Sequence, residues 1–228
     1  MSGKEVQLAL RLVGAPKVAG RTILDYCCGT GMTAIYFALC GANVRAFDAS
    51  EAAVGIARQS ARLSGVEQHV EFAVAAAQDL PYAAGVFDGA FCRSALHIIA
   101  DYAQCRWELA RVLKPGARAV FCEEPLGHNP LLQPVRYLRR RKYRHCGGRP
   151  LKYQDIRAFG EAFSRTSVHH FRLFAQSKLF GRLLRRPGPL RRRICALLRA
   201  LDRADRRLCL AAPWLERFCG SVVVEYTR

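Results

Sequence analysis

The stretch from Thr22 to Ser50 constrains the fold of this chain more than any other part of the sequence. It begins with a short apolar run, which is followed by a turn of small residues that contains Gly29 and Gly31. An apolar stretch of helical spacing comes next, and a second apolar run then stops at Asp48. This succession of strand, glycine turn, helix, strand and acid is typical of a parallel sheet that is covered by helices.

The same stretch indicates an adenosine ligand. A glycine turn lets the backbone approach such a ligand closely, and the acid can accept hydrogen bonds from ribose hydroxyls. Gly29 and Gly31, with Ala34 three residues on, also match the dinucleotide pattern G-x-G-x-x-G/A. However, Asp25 lies four residues before Gly29, where its charge would repel a pyrophosphate and attract a cationic ligand. We therefore favour S-adenosylmethionine over NAD.

Three segments carry a resemblance to the class I S-adenosylmethionine-dependent methyltransferases. The run Leu24-Asp25-Tyr26-Cys27-Cys28-Gly29-Thr30-Gly31 is similar to the first motif of that family, with Cys27 in place of the first glycine. The segment Ala76-Ala77-Gln78-Asp79-Leu80-Pro81-Tyr82 and the run from Ala110 to Gly116 are similar to later elements of the family. The resemblance covers nearly the whole chain. It implies an α/β fold with a Rossmann-like, seven-stranded, mostly parallel sheet, helices on both faces and a basic helical insertion or cap.

The resemblance also implies a set of residues that bind the cofactor S-adenosylmethionine. These are Asp25, Cys27, Gly29, Thr30, Gly31, Asp48, Ala49, Ala77, Gln78 and Arg93. Ala76 stands where members of the family often have an acid that accepts the adenine amino group. Gln78 or Asp79 could supply that acceptor instead.

Three residues are candidates for catalysis, namely His97, Glu124 and His128. They follow the predicted fourth and fifth strands, at the edge where open α/β sheets place their ligands. Either imidazole could take a proton from an acceptor, although a loop histidine can equally be bonded to backbone. Glu124 could bind the acceptor or act as the base. A base is needed only when the acceptor must lose a proton, and no metal site is expected.

The acceptor is expected to be a small molecule. The run from Glu124 to Pro130, Glu-Pro-Leu-Gly-His-Asn-Pro, resembles a sub-group of small-molecule methyltransferases. An O, N or C atom of a natural-product or lipid-like compound is the predicted site of methylation. RNA methylation is a weaker alternative, because the chain has neither an Asn/Asp-Pro-Pro-aromatic motif after the fourth strand nor a Pro-Cys nucleophile loop. A non-catalytic subunit with a methyltransferase fold is the other alternative.

The net charge of +18 is concentrated in one segment. The range Arg136–Arg207 contains 22 of the 36 basic residues and four of the 18 acidic ones, so the rest of the chain is neutral. Such a segment indicates an anionic partner, and we rank a membrane surface or an acidic acceptor ahead of nucleic acid. A solvated helical face is the other interpretation. Oligomeric state is not predicted.

Composition and segment order suggest one core with an insertion. We predict a cofactor-binding core at residues 1–125, a basic, mostly helical insertion at 126–220 that includes the sixth strand, and a closing strand at 221–228. No run of about 18 uncharged apolar residues predicts a membrane span, and the first residues do not resemble a signal peptide. A cytoplasmic location is expected. The ten cysteines are scattered without metal-binding spacing, which favours reduced thiols.

Overall fold

The computed structural model describes residues 3–138, 149–175 and 188–228. Two compact units divide these residues. The first unit comprises residues 3–124, 153–168 and 223–228, and the second comprises 125–138, 149–152, 169–175 and 188–222. The helix at 153–160 therefore groups with the first unit, although the sequence analysis placed it in the insertion. The predicted domain bounds themselves stay a prediction.

The strands and helices follow the predicted order. The strands are β1 (Thr22–Tyr26), β2 (Asn43–Asp48), β3 (Val70–Val74), β4 (Phe87–Arg93), β5 (Leu113–Pro125), β6 (Arg165–Phe171) and β7 (Ser221–Thr227). The helices are α1 (Lys4–Val13), α2 (Met32–Leu39), α3 (Glu51–Leu63), α4 (Leu96–Ile99), α5 (Ala103–Val112), α6 (Gln133–Leu138), α7 (Tyr153–Gly160) and α8 (Pro189–Ala211). Ser50 caps α3, because its side chain accepts a hydrogen bond from the Ala53 N–H.

The strands form one seven-stranded sheet in the order β3-β2-β1-β4-β5-β7-β6. The neighbouring pairs among β1 to β5 are parallel, so their carboxyl ends lie at one edge. β7 runs antiparallel to β5, because Arg228 pairs with the start of β5 at Gly116 and Ala117. The predicted fold class, a Rossmann-like, seven-stranded, mostly parallel sheet, is therefore confirmed.

The strand β5 begins directly after α5. Leu113, its first residue, pairs with Phe87 before a register shift in β4. The Lys114-Pro115-Gly116 sequence therefore lies within the strand and does not form a separate loop. β6 (Arg165–Phe171) lies at one edge of the sheet.

Aromatic side chains form much of the core of the first unit. Tyr26, at the end of β1, is fully buried and meets the ring of Phe47 edge-on at 4.9 Å. Phe121 on β5 lies between Tyr26 at 6.1 Å and Tyr226 at 5.8 Å. Rings in this edge-to-face arrangement stabilise the packing beyond the area that they bury.

Two buried polar side chains hold the second unit. The Asn129 amide donates to the carbonyls of Leu173 (2.9 Å) and Phe218 (2.7 Å) and accepts from the Leu132 N–H (3.2 Å). Asp205 of α8 accepts from the backbone N–H groups of residues 174 and 175. Asn129 belongs to the Glu-Pro-Leu-Gly-His-Asn-Pro motif, and its role in this unit is structural.

Candidate active site

Three neighbouring strands reach unusual backbone geometry at the same edge of the sheet. Cys27 follows β1, Ser94 follows β4 and Glu123 lies near the end of β5, and each has a φ of 56° or 57°. A positive φ is costly for a residue with a side chain and is found most often at functional sites. These positive φ values therefore indicate a functional site at the carboxyl edge of β1, β4 and β5.

The glycine turn after β1 is tied to the next strand. The Cys28 N–H donates to the Phe47 carbonyl at 2.8 Å, and the Gly31 N–H donates back to the Cys28 carbonyl at 3.0 Å. Gly31 has a φ of 77°, and a Cβ there would lie 2.8 Å from the Cβ of Ala57. Glycine is therefore required at this position for both conformation and space. A Cβ on Gly29 would meet nothing within 4 Å, so the backbone there is open to a ligand.

Asp48, the last residue of β2, accepts a hydrogen bond from this turn. Its Oδ2 accepts from the Gly29 N–H at 2.8 Å, and its Oδ1 accepts from the Ser50 N–H at 3.0 Å. A carboxylate has about four acceptor positions, so two remain for ribose hydroxyls. The sequence predicted Asp48 as a ribose ligand, and the structure adds that it orients the glycine turn.

Asp25 is a buried carboxyl group with an unsatisfied oxygen. Its Oδ2 is buried and has no hydrogen-bond partner among the described residues. Burial raises the pKa of Asp25 to about 7, the N–H of Ala34 opposes this shift, and the charge of Asp48 adds to it. A cation that approaches such a buried carboxyl group stabilises its ionised form. This environment of Asp25 is consistent with the cationic ligand that its position in the sequence predicts.

A cavity of about 510 Å³ lies at this edge of the first unit. Its lining residues come from the segments after β1, β2, β3 and β4 and are Cys27, Phe47, Asp48, Ala49, Ala75, Ala76, Ala77, Gln78, Arg93, Ser94, Ala95, Ile98, Ile99 and Tyr102. Six predicted cofactor residues are therefore brought together here. Asp25, Gly29, Thr30 and Gly31 are not part of the lining, and Thr30 is exposed.

Sequence reasoning missed the apolar wall that α4 and the residues after it contribute to this cavity. Ile98 and Tyr102 line it, although each is also partly open to solvent. The available signal was the apolar run that follows β4 at the carboxyl edge. An apolar wall beside a few polar groups is the usual make-up of a small-molecule site.

The segment after β3 is held by a residue within the first motif. The Tyr26 hydroxyl donates to the Ala77 carbonyl at 3.3 Å, and burial raises the pKa of Tyr26 well above its usual value. Of the two proposed adenine acceptors, Gln78 lines the cavity, whereas Asp79 is exposed and does not line it. Gln78 is therefore the better placed of the two.

Arg93 lines the cavity but is already engaged by an acid. Its guanidinium forms an ion pair with Glu123, and this contact raises the pKa of Arg93. Arg93 also approaches the sulfur of Met32 at 3.9 Å. This ion pair joins the carboxyl ends of β4 and β5, where Ser94 and Glu123 have positive φ.

Glu124 and the half-buried His97 form a pair at the start of α4. Neither lines the cavity, although Ala95 and Ile98 of the same segment do. Glu124 is completely buried, and its oxygens accept from the backbone N–H groups of residues 95, 96 and 97 at 2.8, 2.9 and 3.2 Å. Its Oε2 also lies 2.8 Å from His97 Nδ1. With Glu124 ionised, Nδ1 carries the proton, and Nε2 is left as the acceptor nitrogen.

The third catalytic candidate is placed differently. His128 lies in the second unit and is exposed. The structure therefore brings His97 and Glu124 together within the first unit and places His128 outside that pair.

A second cleft, of about 470 Å³, lies at the opposite edge of the strands. Its charged groups include Lys114, which pairs with Asp88 at 2.7 Å, and Arg118, which pairs with Glu225 at 3.2 Å. These side chains form ion pairs with one another, and the Lys114–Asp88 pair joins the starts of β4 and β5. This cleft is distant from the glycine turn and carries no candidate site.

The strand order, the glycine turn and the acid after β2 define the Rossmann-like fold of the class I methyltransferases. Residues 24–121 match the protein family described as "Methyltransferase domain". A solved structure of geranyl diphosphate C-methyltransferase from Streptomyces coelicolor A3(2) superposes with a TM-score of 0.68 at 18% identity. The superposition covers 98% of this chain and 80% of the geranyl diphosphate C-methyltransferase chain. At this identity, the similarity shows the fold alone.

Two curated relatives are each similar over about half of the chain. Demethylmenaquinone methyltransferase from Clavibacter sepedonicus is 40% identical over 116 residues, which are 51% of this chain and 46% of that protein. The 2-phytyl-1,4-naphtoquinone methyltransferase of Synechococcus elongatus is 34% identical over 117 residues, which are 50% of each. The chain thus spans about half the length of the curated relatives that it matches. These similarities agree with the predicted enzyme class.

Proposed function

We propose that the chain is an S-adenosylmethionine-dependent methyltransferase that acts on a small-molecule acceptor. The observation that carries the proposal is the cavity at the carboxyl edge of β1, β2 and β4, where Asp48, Gln78 and an apolar wall meet. The matched methyltransferase domain and the relatives support the same reaction. When bound, the cofactor would supply an electrophilic methyl group on a sulfonium.

The residues present fit this cofactor. The orphaned oxygen of Asp25 favours a nearby positive charge, and Asp48 retains acceptor positions for ribose hydroxyls. The open backbone at Gly29 permits close approach, and Gln78 can accept from or donate to an adenine edge. Cys27 lines the cavity where the family has a glycine, and its small side chain leaves the cavity open.

The acceptor is proposed to be hydrophobic. Both relatives are named for quinone substrates, demethylmenaquinone and 2-phytyl-1,4-naphtoquinone. The apolar wall formed by Ala95, Ile98 and Tyr102 suits a flat or lipid-like molecule. We propose that the methyl group is transferred to an O, N or C atom of such a compound. We also propose that the protein belongs to the sub-group with the Glu-Pro-Leu-Gly-His-Asn-Pro motif and that it is located in the cytoplasm.

His97 is proposed as the base for an acceptor that must lose a proton. Glu124 accepts from Nδ1, so Nε2 of His97 could take the proton that the acceptor loses. Glu124 itself is buried behind four donors and is a positioning residue. This division of roles suits a hydroxyl or an acidic carbon better than an amine, which can attack without prior loss of a proton.

The test is calorimetric titration of S-adenosylmethionine followed by methyl transfer from labelled cofactor to reduced naphthoquinones. We expect binding by the wild type, at least tenfold weaker binding by Asp48→Ala and Gly31→Val, and labelled product with at least one acceptor. Unchanged affinity in both variants would overturn the cofactor site. If the cofactor binds but the label is transferred to RNA and not to a small molecule, the result would favour the nucleic-acid alternative.

The basic segment Arg136–Arg207 is proposed to meet an anionic partner, with nucleic acid ranked second. Part of this segment, including residues 139–148 and 176–187, lies outside the described residues. The part that the structure describes includes all of α8, which permits a more specific inference.

A further inference from the structure

The helix α8 has an amphipathic sequence but little buried surface. Of its 23 residues, those that are buried are Ile194 and Asp205. Of the apolar residues near helical spacing, Ile194 is buried, and Leu198 and Leu201 are half-buried. Leu197 and Leu208 are exposed. Most of the polar and apolar surface of this helix therefore faces away from the protein.

Three exposed leucines lie on one line along α8. Leu190, Leu197 and Leu208 are spaced by seven and eleven residues, which at about 3.6 residues per turn places them within about 20° of one another. Their exposed fractions lie between 41% and 56%. We call these residues the leucine stripe. It borders the side of the helix that buries Ile194, so it continues the apolar side outward into solvent.

Exposed arginines flank the leucine stripe. Arg193 and Arg207 follow it around the helix, and Arg203 comes next, all with exposed side chains. The helix contains seven arginines and two aspartates in total, and Asp205 is buried against backbone N–H groups. The solvent-facing surface is therefore strongly cationic directly beside its leucines.

An exposed tryptophan follows the helix within the same unit. Trp214 lies in the 3-10 helix Pro213–Phe218 and has an exposed fraction of 64%. Its ring meets that of Phe218 edge-on at 6.2 Å. Tryptophan is the side chain that best occupies the boundary between water and the acyl chains of a bilayer.

We propose that α8, through the leucine stripe, its flanking arginines and Trp214, lies flat on an anionic membrane surface. A helix of this kind inserts its apolar side shallowly while its arginines meet lipid phosphates. RNA would use the arginines and leave the exposed leucines without a role. Within the described ranges, no helix is long and apolar enough to cross a membrane, so contact would be at the surface. The inference does not depend on the proposed methyl transfer.

The two tryptophans of the chain allow a direct test in the intact protein. Trp107→Phe leaves Trp214 as the only tryptophan, and Trp214→Phe leaves Trp107, which is 54% exposed and lies in the first unit. Both proteins are mixed with vesicles of phosphatidylglycerol whose acyl chains are brominated. We expect a blue shift and quenching of Trp214 at low salt and neither effect for Trp107. Quenching of neither tryptophan, or of Trp107 alone, would overturn the proposal.

Matched variants separate apolar insertion from attraction by charge. Leu197→Gln with Leu208→Gln should lower vesicle affinity at least tenfold, whereas Leu39→Gln with Leu63→Gln, two exposed leucines of the first unit, should not change it. Arg193→Gln with Arg207→Gln should lower it by about tenfold or more, and Arg11→Gln with Arg62→Gln by much less. Full retention of binding by the Leu197 and Leu208 variant would overturn the proposal.

Competition distinguishes the membrane from RNA. Vesicle binding should weaken steeply as salt rises and should be absent with neutral phosphatidylcholine. A single-stranded RNA added at equal phosphate concentration should displace little protein from the vesicles. Displacement of most of the protein would overturn the membrane proposal in favour of RNA. Cofactor titration of the same variants should be unchanged, so failure here is separate from failure of the proposed reaction.

Discussion

The Nδ1 atom of His97 lies 2.8 Å from Oε2 of Glu124, and the same carboxylate accepts from the backbone N–H groups at the start of α4. Glu124 therefore fixes the position of the short helix and the tautomer of the imidazole together. Because all of its neighbours are donors, Glu124 is held as an acceptor. This arrangement makes the chemistry of His97 sensitive to a change of one atom in Glu124.

Replacing Glu124 with Gln should abolish most of the turnover with a hydroxyl acceptor. The amide NH₂ would face Nδ1, so the imidazole would carry its proton on Nε2 and could not accept another. We expect kcat to fall on the order of 10²-fold or more, with the cofactor Kd unchanged. Initial rates and calorimetric titration measure the two quantities. A variant with wild-type kcat would exclude His97 as the base.

His97→Asn should show a comparable loss, and that loss should shrink as the pH rises. At high pH the acceptor ionises in solution and no longer needs a base on the protein. Pairing this variant with His69→Asn, an exposed histidine far along the chain from the site, controls for the loss of an imidazole. A deficit that is constant between pH 7 and 10 would indicate a structural role. His128→Asn measured alongside tests the remaining candidate.

Asp25→Asn should remove a pH dependence from cofactor affinity. The pKa of Asp25 is raised to about 7, so its carboxyl is largely protonated below that pH and ionised above it. A cationic cofactor should therefore bind the wild type more tightly at pH 8 than at pH 6, and Asp25→Asn should reduce this difference and weaken binding at pH 8. Titrations at both pH values measure the effect. Equal pH dependence in both proteins would contradict it.

The same substitution should stabilise the cofactor-free protein at neutral pH. Because the folded pKa is raised above the unfolded one, the folded state binds more protons between about pH 4 and 7, and stability falls as pH rises through that window. Asp25→Asn removes this loss, so its advantage in free energy of unfolding should grow from pH 4 to 7 and then level off. Urea unfolding at several pH values measures it, and an advantage independent of pH would refute the assignment.

Substitutions at the two glycines of the turn should differ in their effect on stability. Both have positive φ, but a Cβ on Gly31 would collide with Ala57, whereas a Cβ on Gly29 meets nothing. We expect Gly29→Ala to lower the free energy of unfolding by about 1 kcal/mol and Gly31→Ala by about 3 kcal/mol. Chemical denaturation decides between this order and its reverse.

Asn129→Ala should destabilise the second unit. It leaves the carbonyls of Leu173 and Phe218 and the Leu132 N–H without their partner in a buried position. The expected loss is about 3 kcal/mol. Asn43→Ala, which truncates the exposed asparagine at the start of β2, should change stability by less than about 0.5 kcal/mol. Equal urea midpoints for the two variants would show that Asn129 is not the structural centre of this unit.

The sequence by itself determined the order of the elements and the cofactor turn. Apolar spacing and the glycines of the first motif are local properties, so they predicted β1, α2 and the end of β2 at Asp48. Only the tertiary structure decided which distant groups meet. Glu124 lies at the end of β5 and His97 follows β4, so their contact depends on the pairing of those two strands. The tertiary structure also decided which leucines of α8 remain exposed, because burial depends on the residues that a helix meets from elsewhere in the chain.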